Sequence, residues 1–271
     1  MTLQLLICTL DDRIQSVPQL LIEPVPGISY LVSWQHRDGY VPCELPQALK
    51  RHDVEVVIID GKGLSRNRNN CLKMATGDIC LIADDDCLYT RERLQSVIDT
   101  FTAHPDVAIA TFKAQNDVAP KVYPGYSFSL AQPARKYYVT SFEIAFRRSM
   151  MPAGLRFDEN FGLGSGVFDC GEESVFIHDA LRAGLSCRFF PTVVVEHLGP
   201  TTQSTHAADP GVLMARGAYI YKAHRRSVIF RALAVAWRLR RAKGIPFNYA
   251  LEYTIKGFSK MQEIESRSKR N

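Results

Sequence analysis

Three consecutive carboxylates, Asp84, Asp85 and Asp86, directly follow the apolar run ICLIA at residues 79–83. Like charges on adjacent residues repel one another, and desolvating even one of them is costly unless a partner compensates it. A solvated turn could carry all three. A hard cation such as Mg²⁺ or Mn²⁺ would relieve the repulsion and use the oxygens, commonly together with substrate phosphates. The pattern therefore indicates either an acidic turn or a metal–phosphate site.

A basic segment lies just upstream, in GKGLSRNRNN at residues 61–70. Lys62, Arg66 and Arg68 open a segment with helical spacing, for which Ser65 is a candidate N-cap. Backbone N–H groups and the helix dipole favour anions at such a start. The sequence contains neither a G-x-x-x-x-G-K-[ST] loop nor a G-x-G-x-x-G between the first strand and its helix, so neither a P-loop nor a dinucleotide fold is expected.

The elements that position these groups alternate between strands and helices. Predicted strands cover residues 3–9, 28–34, 54–60, 78–83, 107–112, 139–146 and 186–197, and several are apolar almost throughout. Predicted helices include one ending near Gly77 and one that Thr90 caps and Pro105 stops. Apolar strands alternating with helices predict a three-layer α/β fold whose mixed, mainly parallel sheet has helices on both faces. The three carboxylates then lie at the carboxyl end of a central strand, where ligands bind in open α/β sheets.

Composition sets the broad class of the protein. The chain has 271 residues, of which 46% are hydrophobic and 23% charged, as in ordinary soluble globular proteins. No run of eighteen apolar residues is present, and the segment MTLQLLICTLDDR, which lacks a basic start, predicts a first strand rather than a signal peptide. Seven scattered cysteines without a C-x-x-C pair indicate reduced thiols in the cytosol.

The segment GLSRNRNNCLKMATGDICLIADDDC resembles the central signature of the family 2 glycosyltransferases. In that family an Arg-Asn pair starts a helix that ends in A-x-G-D, and the next strand delivers an Asp-x-Asp signature. Arg68-Asn69, Ala75 to Asp78 and Asp84 to Asp86 occupy those places here. The resemblance implies a GT-A (Rossmann-like) fold and a transferase that uses a nucleotide sugar and Mn²⁺ or Mg²⁺.

Two further segments extend the resemblance over residues 1–205. The segment 157–184 resembles the acceptor-side region, in which a Gly-rich loop leads to Gly-Glu-Asp on a helix; here the triplet is Gly171-Glu172-Glu173. Residues 196–205 resemble the end of the last core strand, where the family often has a His. The family's usual turns after its first two strands are replaced by CTLD at residues 8–11 and by SWQHRDGY at residues 33–40.

The resemblance implies roles for the acidic residues. Asp86 matches the metal-ligating position, Asp84 is expected on the ribose or a metal-bound water, and Asp85 competes with Asp86 because a triple Asp leaves the register ambiguous. His197 is a further metal or phosphate candidate, although a structural role is equally open for it. The other expected donor-binding residues are Thr9, Asp38, Lys62, Ser65 and Arg68.

An inverting transfer needs a general base on the face opposite the leaving group. By resemblance that base is Glu173, with Glu172 as its neighbour or second choice. The expected reaction moves a sugar from a nucleoside diphosphate, UDP being the first choice, to a hydroxyl of a glycan or lipid-linked acceptor in bacterial surface polysaccharide assembly. A catalytically inactive nucleotide-sugar-binding relative and a sugar nucleotidyltransferase are the alternatives.

The C-terminal part of the chain is strongly basic. Residues 211–271 contain 14 Lys and Arg against three Glu, a balance of +11, whereas residues 1–210 have a balance of −6. We therefore expect a catalytic domain at residues 1–210 and a basic helical extension at 211–271. Residues 213–242 have the pattern of a basic amphipathic helix that lies on an anionic membrane or packs on the domain. The protein is expected in the cytoplasm or peripheral on the membrane's inner face, without a nucleic-acid partner.

Overall fold

A computed structural model of the chain describes residues 1–118, 120–199 and 208–268. The strands are β1 Leu3–Leu10, β2 Ile28–His36, β3 Val54–Asp60, β4 Ile79–Asp84, β5 Cys87–Leu88, β6 Ile109–Gln115, β7 Phe128–Ser129, β8 Ile144–Arg147 and β9 Cys187–His197. The α-helices are α1 Leu64–Met74, α2 Arg91–Ala103, α3 Glu172–Arg182, α4 Pro210–His224, α5 Val228–Lys243 and α6 Phe247–Ser268. Short 3-10 segments lie at Asp11–Leu20, Gln47–Lys50, Ser141–Glu143, Arg148–Met150 and Arg225–Ser227.

The strands form one mixed sheet in the order β3-β2-β1-β4-β8-β6-β9-β5, and β7 pairs with β9. The pairs β1–β2, β1–β4, β2–β3 and β6–β9 are parallel and contain most of the paired residues. Strand β8 runs antiparallel to both of its neighbours. The predicted α/β fold with a mixed sheet is therefore confirmed.

Both faces of the sheet are covered. Along β1, Leu5 and Ile7 join the core that also includes α2, whereas Leu6 and Cys8 join the core that contains α1 and α3. Successive side chains of a strand point to opposite faces, so a strand covered on both sides must be apolar throughout. This arrangement is the three-layer architecture that the uninterrupted apolar strands predict.

The edge where the carboxylates lie is a topological switch point. Strand β1 has the parallel strands β2 and β4 on its two sides, and Cys8 is in register with Asp84. After β1 the chain goes on to β2, whereas after β4 it goes on to β5 and β6 in the other half of the sheet, and a crevice opens beyond the carboxyl ends of β1 and β4. Thr9 and Asp85 face each other in this crevice.

Three predicted boundaries differ in the structure. Helix α1 begins at Leu64 after Gly63, so Ser65 lies inside the helix rather than at its N-cap. The helix ends at Met74, and Gly77 instead lets the chain pass close to Gln4, whose Cβ would lie 2.7 Å from a Cβ at that position. Strand β8 begins only at Ile144, because residues 140–143 close a capping box first.

The C-terminal extension folds as three helices rather than one amphipathic helix over 213–242. Helices α4 and α6 pack tightly against each other, and α4 also contacts α3. Phe161, Phe168 and Val175 share a core cluster with the α4 residues Val212 and Ala215. Packing on the rest of the chain, one of the two alternatives for this segment, is therefore seen for α4, whereas much of α5 is exposed.

Candidate functional site

A cleft of about 610 Å³ opens at the carboxyl ends of β1 and β4. It brings together most of the residues that the sequence singles out: Thr9, Lys62, Arg68, Asp84, Asp85, Asp86, Glu172, Glu173 and His197. The acidic groups come from the end of β4 and from the first turn of α3, which are far apart in sequence. The cleft therefore joins the two segments that the resemblance assigned to donor and acceptor.

The three adjacent carboxylates have three different sets of partners. Asp84 accepts hydrogen bonds from Arg68 Nη2 at 2.8 Å and from the Ser141 hydroxyl at 3.0 Å. Asp85 accepts from Thr9 and Arg13, and Asp86 lies beside His197. Each charge is thus compensated separately, which lowers the cost of placing three carboxylates at one strand end.

Asp85 is occupied by protein groups. The Thr9 hydroxyl donates to its Oδ2 at 2.8 Å, and the Arg13 guanidinium donates to both of its oxygens. Its side chain is only 5% exposed, and this burial raises the pKa of Asp85 even though Arg13 and Thr9 stabilise the charged form. Asp85 therefore fastens the ends of β1 and β4 and has no free oxygen for a ligand.

Asp86 remains available at the mouth of the cleft. Its side chain is 37% exposed, and its Oδ1 is buried without a hydrogen-bond partner, 3.2 Å from His197 Nε2. Burial opposes ionisation of Asp86, but the adjacent His197 outweighs it and lowers the pKa of Asp86. Of the two carboxylates between which the sequence left the metal position open, Asp86 is therefore better placed than Asp85 to bind a ligand.

The imidazole of His197 is oriented by its second ring nitrogen. Nδ1 lies 2.8 Å from the carbonyl oxygen of Gly199 and 3.0 Å from the side-chain amide nitrogen of Asn116. Nε2 then faces Asp86. Burial disfavours the imidazolium, but Asp86 outweighs it and raises the pKa of His197. Within the described residues, no group of three or more His, Cys, Asp and Glu side chains is arranged to hold a metal ion.

Arg68 connects the two acidic segments. Its Nη1 donates to Glu172 Oε1 at 2.7 Å and its Nη2 to Asp84 Oδ1 at 2.8 Å, while the guanidinium lies 5.6 Å from the Phe157 ring centroid. Burial opposes its charge, yet Asp84 and Glu172 outweigh this effect and hold the pKa of Arg68 above its usual value. Arg68 lines the cleft, but both of its terminal nitrogens are engaged by carboxylates.

Glu172 and Glu173 start α3 and have different environments. Glu172 pairs with Arg68, whereas burial and the charge of Glu172 raise the pKa of Glu173 well above its usual range. Gly171 precedes them in a left-handed conformation with φ 92°, which favours glycine and turns the chain into the helix. A buried carboxylate with a raised pKa at a cleft is a good proton acceptor near neutral pH.

The segment Ser141–Glu143 was not singled out by sequence, yet each of its residues contacts a different part of the site. Ser141 donates to Asp84, and the Phe142 ring stacks on His197 with centroids 4.4 Å apart. Glu143 accepts from Lys121 Nζ, with both oxygens at 2.8 Å. These residues lie in the apolar segment interpreted as a plain strand, so no local pattern indicated their role.

The Lys121–Glu143 pair lies in an aromatic enclosure beside the cleft. The Lys121 ammonium is 4.2 to 5.3 Å from the ring centroids of Tyr123, Tyr137 and Tyr138. The Tyr123 hydroxyl also donates to Glu143 at 2.6 Å. Burial lowers the pKa of Lys121, although Glu143 opposes this shift. The pair thus fastens the loop that follows β6 to the segment that supports Asp84 and His197.

Several expected residues do not reach the cleft. Asp38 is exposed in the turn after β2 and is not part of the lining, which instead includes Gln35 and Arg37. The buried Ser65 hydroxyl donates to the Phe161 carbonyl at 2.6 Å and so supports the Gly-rich loop rather than the lining.

Two residues that line the cleft were not predicted from the sequence. Arg13 and Asn67 line the cleft; the Asn67 amide donates to the carbonyls of Thr9 and Ser33 at 3.1 Å and joins the ends of β1 and β2. Asn67 falls within the segment quoted for the resemblance, whereas Arg13 had no signal because its partner is 72 residues away. Most of the segment 196–205, the third part of the resemblance, lies outside the described residues.

Comparison with known proteins finds a family that is similar to part of the chain. Residues 38–167 match the model of the family described as Glycosyl transferase family 2. The matched segment contains Arg68 and the triple Asp, and it ends before Glu172, Glu173 and His197. None of the curated proteins compared matches the chain.

Solved structures share the fold over almost the whole chain. The crystal structure of S. aureus TarS 1–349 is 13% identical, with a TM-score of 0.59, and the match covers 98% of this chain and 92% of that one. The complex of TarS 1–349 with UDP is 12% identical, with a TM-score of 0.61 and the same coverage. The complex with UDP-GlcNAc is 12% identical, with a TM-score of 0.59 and again the same coverage. The family match over residues 38–167 and the shared fold support a family 2 glycosyltransferase with a GT-A fold.

Proposed function

We propose that this enzyme transfers a sugar from a UDP-linked donor to a hydroxyl group of a glycan or lipid-linked acceptor, with inversion at the anomeric carbon. The observation that carries the proposal is that one cleft at the switch point brings both acidic segments together. Asp84 and Asp86 line one side of it and Glu173 belongs to the other segment, with Arg68 between them. This arrangement supports binding of a nucleoside diphosphate next to a proton acceptor.

The donor end of the cleft offers both charge signs that a metal–diphosphate complex needs. Lys62 and Arg37 line it as exposed cations, and Arg13 carries its charge beside Asp85. Cationic side chains stabilise the charge of a departing diphosphate. The structures of TarS with UDP and with UDP-GlcNAc support UDP as the first nucleotide to test.

The residues present fit Mg²⁺ or Mn²⁺. Asp86 Oδ1 is buried without a hydrogen-bond partner and lies 3.2 Å from His197 Nε2. Neighbouring ligands of an octahedral ion with bonds of about 2.1 Å lie roughly 3 Å apart, and Mg²⁺ commonly takes its other ligands from phosphates and water. Asp86 and His197 would hold the ion, and the ion would neutralise charge on the leaving diphosphate.

Glu173 is assigned the proton transfer. The acceptor oxygen forms the new bond to the anomeric carbon while the bond from that carbon to the phosphate oxygen breaks, and UDP leaves with the electron pair. The proton of the acceptor hydroxyl passes to a carboxylate oxygen of Glu173. Glu172 keeps its place beside Arg68 and so fixes the first turn of α3.

We further propose that residues 1–210 form the catalytic domain and 211–271 an extension, and that the enzyme acts at the cytoplasmic face of a membrane in bacterial surface polysaccharide assembly. The balance of +11 in residues 211–271 supports an anionic surface as the partner of the extension. Among the described residues, no helix is both long and apolar enough to cross a bilayer. No nucleic acid takes part in the proposal.

The test is nucleotide release from a panel of UDP-, GDP-, dTDP- and CMP-sugars with and without Mn²⁺ or Mg²⁺. We expect release from a UDP-sugar that requires the ion and that Asp86→Asn abolishes. Asp106→Asn, which alters an exposed carboxylate before β6, is the matched control and should behave as the wild type.

Because hydrolysis can require the acceptor, calorimetric titration of the same panel is run beside it. Metal-dependent binding without release, even with acceptor extracts, would favour the inactive nucleotide-sugar-binding alternative. Absence of binding for every donor would overturn the proposal.

A further inference from the structure

Helix α5 exposes a row of large apolar side chains to solvent. Ile229 is 51% exposed, Phe230 78%, Leu233 39% and Trp237 55%. These four residues are called the apolar face of α5. At 100° per residue they lie within an arc of about 100°, which is the width of a stripe that ordinarily faces a core.

An adjoining side of α5 is already packed. Ala232, Ala236 and Leu239 are buried, and Ala236 and Leu239 belong to a cluster with Leu213 of α4 and Ala250 of α6. The helix is therefore held against its neighbours through one side, which leaves the apolar face directed outwards. A large exposed apolar patch rimmed by polar residues usually marks an interaction surface.

Basic residues surround the apolar face. Residues 225–243 contain seven Lys and Arg and no Asp or Glu. The guanidinium of Arg241 lies 4.7 Å from the Trp237 ring centroid, so a cation lies beside the largest apolar side chain. Trp next to Arg suits the boundary of a bilayer, where the ring lies at headgroup level and the guanidinium meets phosphate.

We propose that the apolar face of α5 inserts into the surface of an anionic phospholipid bilayer, with the helix lying in the membrane plane. The inference deepens the proposed function, on which it rests, because it names the surface that would bring the cleft to a lipid-linked acceptor. Charge decides between this partner and a second copy of the chain. A symmetric dimer through this face would oppose two surfaces of the same sign, whereas anionic headgroups complement the seven cations.

The test is binding of the full-length protein to phosphatidylcholine vesicles and to equimolar phosphatidylcholine–phosphatidylglycerol vesicles, measured by flotation. The chain has two tryptophans, and Trp34 is buried with its Nε1 bonded to Asp11, so a change in emission on vesicle binding reports Trp237. We expect flotation with the anionic vesicles, a blue shift of the emission, and weakening of both by salt.

Two variants and two matched controls make the result specific. Phe230→Ser/Trp237→Ser should lower the vesicle partition coefficient by about tenfold or more, because two large apolar groups leave the interface. Val41→Ser/Val122→Ser removes exposed apolar side chains elsewhere and should change nothing. Arg240→Gln/Arg241→Gln should weaken binding to anionic vesicles by about tenfold, whereas Lys50→Gln/Lys73→Gln, at exposed positions elsewhere, should not.

Vesicle binding needs neither donor nor acceptor, and nucleotide release is measured without vesicles. Vesicle binding by a protein that binds no nucleotide sugar in the calorimetric titration would sustain this inference and overturn the proposed function. Donor binding and nucleotide release by a protein that does not bind vesicles would overturn this inference and leave the proposed function standing. Absence of flotation, equal binding to neutral vesicles, or binding that Phe230→Ser/Trp237→Ser leaves intact would overturn the inference. Dimerisation that the same variant abolishes, without vesicle binding, would assign the face to a second copy instead.

Discussion

Arg68 Nη1 donates to Glu172 Oε1 at 2.7 Å and thereby joins α1 to the first turn of α3. The same guanidinium holds Asp84, so one buried cation fixes the spacing between the donor-side carboxylates and the neighbour of the proposed base. The side chain is 2% exposed. Moving any one of these three residues would therefore disturb the other two.

Replacing Arg68 by Met should destabilise the protein strongly. The substitution leaves the Asp84 and Glu172 carboxylates without their shared cation, and loss of one partner of a buried ion pair costs about 3–5 kcal/mol. Urea denaturation measures the change in the free energy of unfolding. Arg66→Met, on the exposed side of the same helix, is the control and should shift it by less than about 0.5 kcal/mol. A small loss in Arg68→Met would show that this network does not hold the cleft together.

His197→Gln and Asp86→Asn should each weaken Mn²⁺ binding in the presence of UDP by at least about tenfold, because each removes one of two proposed ligands. Isothermal titration calorimetry measures this without reference to turnover. Asp85→Asn is the informative comparison, since both oxygens of Asp85 are engaged by Thr9 and Arg13. We expect Asp85→Asn to reduce the free energy of unfolding by more than it reduces the free energy of Mn²⁺ binding. If Asp85→Asn instead reduced the free energy of Mn²⁺ binding more, the metal ligand would be Asp85 rather than Asp86.

The pH dependence of kcat/KM should report Glu173. Burial and the charge of Glu172 raise the pKa of Glu173 well above its usual value, and a general base acts only when it is ionised. Activity should therefore fall, as the pH is lowered, through a pKa above the ordinary glutamate value of about 4.3. Glu173→Gln should lower kcat by at least about a hundredfold and leave UDP affinity nearly unchanged.

The same ionisation should appear in stability. A carboxyl group whose pKa is higher in the folded than in the unfolded state binds more protons when folded, so its ionisation destabilises the fold as the pH rises from the unfolded pKa to the folded one. Glu173→Gln removes the ionisable carboxyl group and with it this loss of stability. Its free energy of unfolding should therefore exceed that of the wild type increasingly over that pH range. A constant difference between the two proteins across this range would show that Glu173 has an ordinary pKa.

The close contact of α4 and α6 depends on two glycines. A Cβ at Gly257 would collide with the Met214 carbonyl oxygen, and one at Gly217 with the Thr254 carbonyl oxygen. In a free helix Gly→Ala is stabilising by about 1 kcal/mol, so the sign of the effect is diagnostic. We expect Gly257→Ala to destabilise the protein by about 1–3 kcal/mol in thermal or urea unfolding, because the helices must separate.

Gly154→Ala is the matched control, because its φ is not positive and its Cβ would meet no atom within 4 Å. It should leave the unfolding free energy within about 0.5 kcal/mol of the wild type. Stabilisation by Gly257→Ala would mean that α4 and α6 do not approach as closely as described.

Local patterns in the sequence determined much of the fold and the outline of the site. Apolar runs covered on both faces predicted the strands, and Thr90 was correctly placed as the N-cap of α2, where it accepts from the Arg93 N–H. The triple Asp after an apolar strand indicated a ligand edge. These inferences succeed because they depend on neighbours within a few residues, whose interactions follow from strand and helix periodicity.

Only the tertiary structure decided which carboxylate is free. Asp84, Asp85 and Asp86 are three identical side chains, and the resemblance left Asp85 in competition with Asp86. They differ because Arg68, Arg13 and His197 reach them from distant segments. The turn at Ser141–Glu143, the position of Asp38 outside the cleft and the outward face of α5 were likewise undetermined. Each depends on the packing of elements far apart in the chain, and no residue pattern encodes that packing locally.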